Sequence, residues 1–157
     1  MELNPGFDGK MTGYGGGSSR IENGMVRELG FITNNVLDIS PVRALVGLKA
    51  LRCSGGNLSD LSPLQGMKLT SFNCGATKIS DLSALKEMTL DELNCGTTLV
   101  SDLSPLREMK LTTLYCDSTK VSDLSPLRAL KLEKLCCDNK PMSNLSPPAE
   151  MNLVDIL

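Results

Sequence analysis

Residues 90–110 read LDELNCGTTLVSDLSPLREMK, and the same phrase, little changed, fills 48–68, 69–89, 111–131 and 132–152. Cys53, Cys74, Cys95, Cys116 and Cys137 hold one place in the five copies, each 21 residues from the next. Set in register, the copies give seven apolar columns. The first runs Leu48, Leu69, Leu90, Leu111, Leu132, the second Leu51, Phe72, Leu93, Leu114, Leu135, and the third is the cysteines. Four more follow each cysteine, at Val100, Leu103, Leu106 and Met109 in the copy quoted. A partial copy from Val26, with one extra residue near Gly47, precedes the regular ones, and a stub at Leu153 follows them.

Within each copy the alternation of the second and third columns, as in Leu93-Asn94-Cys95, is the period of two expected of a short strand with one buried face. All copies run the same way, so their strands stack in parallel about 4.8 Å apart. The phrase Ser-Asp-Leu-Ser-Pro-Leu then turns the chain back. Ser62, Ser104 and Ser125 are expected as N-caps and Pro63, Pro105 and Pro126 as first helical residues, with room for one turn of 3₁₀ or a very short α-helix. A period of this length with this leucine spelling is a leucine-rich repeat. The fold class that follows is α/β, a right-handed solenoid of short parallel strands with short helical returns.

The phrase D-L-S-(P/A)-L at Asp60–Leu64, Asp81–Leu85, Asp102–Leu106 and Asp123–Leu127 resembles the internalin-like and SDS22-like branch of bacterial leucine-rich repeats, over Val26 to Asn152. The resemblance implies a binding architecture and names no ligand. Two columns depart from that pattern. Thr77, Thr98 and Thr119 stand where Asn is usual, and Cys replaces Leu in the third core column. A threonine hydroxyl still offers the tight turn a backbone partner, more weakly than Asn.

The organisation expected along the chain is a flexible Gly-rich segment over 1–20, an N-terminal hairpin cap and irregular first repeat over 21–47, the five repeats over 48–152, and an incomplete terminal strand over 153–157. Asn23-Gly24 between apolar flanks is the hairpin signal. At the back end Lys140-Pro141 and Pro147-Pro148 degrade the fifth copy, no polar terminating element is visible, and an open strand edge there invites a homodimer. The first twenty residues have neither a basic start nor a continuous apolar core, and six cysteines without a leader favour reduced thiols, so the chain reads as cytoplasmic. No apolar run approaches the ~18 residues of a membrane span.

Chemistry is sparse. A net charge of −2 and 3% aromatic residues give no footprint for nucleic acid. There is no histidine, so the commonest general base and metal ligand is missing, and no phosphate-binding glycine pattern precedes a helix. Four cysteines on consecutive strands would span about 14 Å, too far to wrap one zinc ion at ~2.3 Å. Neighbouring strands lie within reach of a disulfide, yet in-register side chains point the same way, and the column reads as buried thiols. Cys136 alternates with Cys137 and is expected to face outward as the one reactive thiol. The column Asp38, Asp60, Asp81, Asp102, Asp123 reads as backbone capping rather than calcium binding, and the methionines at 67, 88, 109 and 151 as core. No enzyme activity, cofactor or metal is expected.

What remains is the inner face of the strands. Arg52, Asn73, Glu92, Asn94, Thr113, Tyr115, Asp117 and Lys134 are the candidate interaction residues there, with Tyr115 the single aromatic anchor. Six strands at ~4.8 Å and three residues of strand give roughly 300 Å² of face, below the ~800 Å² per partner of a standard interface. The expected function is a non-catalytic protein-interaction module with an unknown protein partner. Two alternatives stand beside it, a self-associating module and a regulatory or scaffolding fragment of a larger protein. The resemblance extends to bacterial multidomain proteins, some carrying kinase domains.

Overall fold

The computed structural model describes residues 19–137 and the strand pair 155–156. One eight-stranded sheet runs in chain order: β1 (Arg20–Glu22), β2 (Met25–Thr33), β3 (Ala50–Gly56), β4 (Ser71–Asn73), β5 (Glu92–Asn94), β6 (Thr113–Tyr115), β7 (Lys134–Cys136) and β8 (Asp155–Ile156). The pair β1–β2 is antiparallel around Asn23-Gly24, and every later pair is parallel. Asn23 (φ 51°) and Gly24 (φ 74°) both take the left-handed conformation that a two-residue hairpin turn of the favoured twist requires. From β2 to β7 each parallel crossover passes through a return segment, in the right-handed sense such connections take.

Register follows the repeat without slippage: Leu51 pairs with Phe72, Phe72 with Leu93, Leu93 with Leu114 and Leu114 with Leu135. Equivalent leucines therefore stack, and Leu58, Leu64, Leu69, Phe72, Ile79, Leu85, Leu90, Leu93, Leu106, Leu111 and Leu114 are all fully buried. Among the parallel pairs the register shifts only between β2 and β3, at a bulge where Ile32 meets Ser54 and Thr33 meets Gly56. The backbone of Thr33 there comes so close that a Cβ on Gly56 would sit 2.3 Å from its carbonyl oxygen. Glycine thus stands where later copies carry Thr77, Thr98 and Thr119.

The returns are η1 (Ser40–Ala44), η2 (Ser62–Leu64), η3 (Ser83–Leu85), η4 (Ser104–Leu106) and η5 (Ser125–Ala129), every one a 3₁₀ turn. With so few residues before the next strand, a second α-helical turn has no room. The expected serine N-caps are corrected here. Each serine is already the first 3₁₀ residue, the cap position belongs to Ile39, Leu61, Leu82, Leu103 or Leu124, and proline follows the serine in four of the five. The capping acceptor is the aspartate two residues earlier. The backbone N–H groups of Ser40, Ser62, Ser83, Ser104 and Ser125 donate to Oδ1 of Asp38, Asp60, Asp81, Asp102 and Asp123 at 2.7–2.8 Å. A carboxylate reaches forward over two residues without strain, so it displaces the serine hydroxyl from that role.

Candidate functional site: the concave strand face

Alternation along the short strands sends one set of side chains into the core and leaves three ladders on the concave side. The middle ladder is Gly30, Arg52, Asn73, Asn94, Tyr115, Cys136, in direct register. Beside it run Glu28, Ala50, Ser71, Glu92, Thr113 and Lys134. Past the cysteines, on the other side, come Ser54, Gly75, Gly96 and Asp117. All eight candidate interaction residues lie on these ladders. Arg52 and Glu92 are exposed, while Asn73, Asn94, Thr113, Tyr115, Asp117 and Lys134 are half-buried.

Their environments differ. Oδ1 of Asn73 accepts the N–H of Gly75, and Oδ1 of Asn94 that of Gly96, each at 3.0 Å, so both amides are partly consumed in closing the turn after the strand. The repeated Asn-Cys-Gly at 73–75 and 94–96 carried that signal in the sequence. The carboxylate of Asp117 lies over Gly96, where a Cβ would stand 2.6 Å from Oδ1, so glycine at 96 is what lets Asp117 settle against the sheet. The Lys134 ammonium stands 5.3 Å from the centre of the Tyr115 ring, within cation–π range. Ser71 Oγ donates to Glu92 Oε2 at 3.5 Å. At the front, Arg20 bridges Glu22 (2.9 Å) and Glu28 (2.7 Å), which lays charge along the short edge strand β1. A charged edge discourages strand addition there.

The cysteine column is core. Cys53, Cys74 and Cys95 are fully buried and Cys116 is 3% exposed, as thiols rather than disulfides. Burial pushes the Cys53 thiol up to about 12, and raises Cys74 and Cys95 by the same cause with a lesser contribution from the thiol one repeat earlier. Asp117 adds a small further push on Cys95. Such thiols stay neutral and unreactive near neutral pH. Cys74 and Cys95 instead point their S–H groups at the carbonyl oxygens of Asn94 and Tyr115, 3.5 Å away.

Cys136 departs from expectation. It holds its place on the concave ladder but is only 9% exposed, while Cys137, packed at the end of the core column, is the half-buried one. On its β6 side Cys136 lies in direct register with Tyr115, the one aromatic of that ladder. Among the described residues no group of three or more acidic, cysteine or histidine side chains is placed to hold a metal ion. Asp138, Lys140-Pro141, Pro147-Pro148, Met151 and most of the 1–20 segment lie outside the described residues.

Comparison with solved structures places this geometry. Internalin C2 from Listeria monocytogenes matches with a TM-score of 0.77 and 31% sequence identity, over 86% of this chain and 62% of that one. An internalin designated inlF from the same organism matches with a TM-score of 0.72 and 29% identity, over 77% of this chain and 37% of that one. The chain thus spans less than two thirds of either protein. No protein-family model and no curated protein matches it.

Proposed function

Because the chain is an internalin-like leucine-rich repeat solenoid, a fold that suggests a protein-interaction module, we propose that it binds a protein partner through the concave ladders and performs no catalysis of its own. The observation that carries this is the contrast between columns. The buried columns are nearly invariant from copy to copy, whereas the middle ladder changes from Arg52 to Asn73, Asn94 and Tyr115 on a backbone held in register. Rigid strands presenting different polar groups and one aromatic suit recognition. A reducing, cytoplasmic setting belongs to the same proposal, which fits the packing of Cys53, Cys74 and Cys95 as core thiols.

The test is a pair of triple variants. Arg52→Ala, Glu92→Ala and Tyr115→Ala together should abolish capture of any protein that the wild type retains, with the melting temperature little changed, since these side chains lie outside the core. The convex triple Arg43→Ala, Lys86→Ala and Arg107→Ala should capture as the wild type does. Loss of capture in the convex triple alone would move the binding face to the other side of the solenoid. Asn94 is left intact because its amide holds Gly96.

A further inference from the structure

The concave face carries charge that its own neighbours leave uncompensated, and that charge has a direction. Arg52 is exposed in the middle of β3, and no ion pair or hydrogen bond engages its guanidinium among the described residues. Two strands on, Glu92 is exposed on β5 and held only by the 3.5 Å contact from Ser71. Three strands on, just past β6, the Asp117 carboxylate lies over Gly96 with no donor among the described residues. The intervening β4 offers Ser71 and Asn73, and Gly75 follows it, all neutral. At the margins Glu28 is met by Arg20, and the Lys134 ammonium lies over Tyr115. A partner crossing from β3 to β6 therefore meets a cation, then a neutral step, then two carboxylates, with the Lys134 cation on β7 beyond them.

The spacing of that pattern selects a ligand geometry. Strands about 4.8 Å apart put β5 about 10 Å and β6 about 14 Å from β3. An extended peptide rises about 3.3 Å per residue, and side chains on one of its faces recur at i, i+2 and i+4, about 7 and 13 Å along. Only the second interval reaches from Arg52 to the Glu92–Asp117 region. A face roughly 10 Å wide also suits an extended chain better than a helix about 10–12 Å across with its side chains.

Resting on the concave-face reading above, we propose that the partner supplies an extended segment laid across the strands, with an acidic side chain over Arg52 and a basic one four residues away between Glu92 and Asp117. Opposite charges in register contribute to selectivity and encounter rate, and the wrong spacing leaves one charge facing its like.

The experiment uses the full chain and labelled peptides of serine and alanine carrying one Glu and one Lys at i and i+4. The comparison peptides carry Glu and Lys at i and i+2, or two Lys at i and i+4. Fluorescence anisotropy reads affinity and amide chemical shifts locate the site. The i, i+4 Glu/Lys peptide should bind about tenfold tighter than the i, i+2 one and weaken with salt. Arg52→Glu, exposed and so expected to fold normally, should switch the preference to the two-lysine peptide. Equal binding of all peptides with shifts at Asn94 and Tyr115 overturns the charge register and leaves the concave reading standing. Shifts confined to the convex side overturn both, and failure of every peptide to bind overturns the charge register.

Discussion

At the scale of single residues, the threonine that replaces asparagine after β4, β5 and β6 shows how a repeat tolerates substitution. Thr77, Thr98 and Thr119 are 4–6% exposed, and their hydroxyls donate to the carbonyl oxygens of Cys74, Cys95 and Cys116 at 2.6–2.7 Å. Val100 and Val121 return their N–H groups to the hydroxyls of Thr98 and Thr119, at 3.4 and 3.5 Å. Thr33, one position before that column at the end of β2, donates its hydroxyl to the Gly55 carbonyl. The hydroxyl is thus both donor and acceptor in a dry corner, which an isosteric valine cannot be. Thr98→Val should cost about 1–3 kcal/mol by stranding the buried Cys95 carbonyl, whereas Thr98→Ser keeps the bond and should cost less. Urea denaturation midpoints of the two variants check this, and equal midpoints would remove the threonine from its assigned role. The residue between strand and threonine carries a backbone burden in turn, with Ala76 (φ 57°), Thr97 (φ 55°) and Ser118 (φ 51°) in the left-handed region that Gly55 occupies freely.

At the scale of elements, five 3₁₀ returns stack through one repeated device, a carboxylate that closes the turn ahead of it. For Asp38, Asp81 and Asp102 the serine side chain and then its backbone N–H hold the carboxyl below its ordinary value of 3.8. For Asp123 the backbone bond comes first. A carboxylate whose value is depressed on folding stabilises the fold fully above the unfolded value, and that contribution fades as pH falls through the folded one. The melting temperature should therefore hold steady from about pH 8 to about pH 5 and fall below about pH 4. Replacing these four aspartates by Asn keeps an acceptor oxygen for each serine N–H and removes the proton, so the variant should lose less stability between neutral and acid pH. Thermal scans across that range measure it, and an unchanged acid slope would place the sensitive carboxyls elsewhere. The corners that lead back into the strands are less uniform. Gly66 and Glu87 both turn with positive φ after an extended Gln65 or Lys86, while Arg107 stays helical and spares Glu108 that conformation.

At the scale of the whole molecule, stability is shared along the stack because each repeat buries its leucines only against its neighbours. Leu93→Ala, at a fully buried place in the central strand, should cost about 2–5 kcal/mol and lower hydrogen-exchange protection in the repeats on both sides. Leu29→Ala, partly buried at the front end, should cost less and loosen mainly the first repeat. If both variants changed protection only at the mutated strand, the repeats would be independent units. Much of this was legible beforehand. The period, the buried columns, the parallel register, the Asn-Gly hairpin and the aspartate caps follow from residues that recur at fixed intervals, since an interval maps directly onto a position in the coil. Other features could not be read that way. The burial of Cys136, which shares the exposed ladder with Arg52 and Asn94, is not given by its place in the repeat. The settling of Asp117 over Gly96 and of Lys134 over Tyr115 depends on which side chains become neighbours across strands 21 residues apart. The spelling of one copy determines what that copy buries, because burial repeats with the chain's own period. The chemistry of the exposed face was decided only by tertiary structure, because it arises between copies, where no periodic rule relates one side chain to the next.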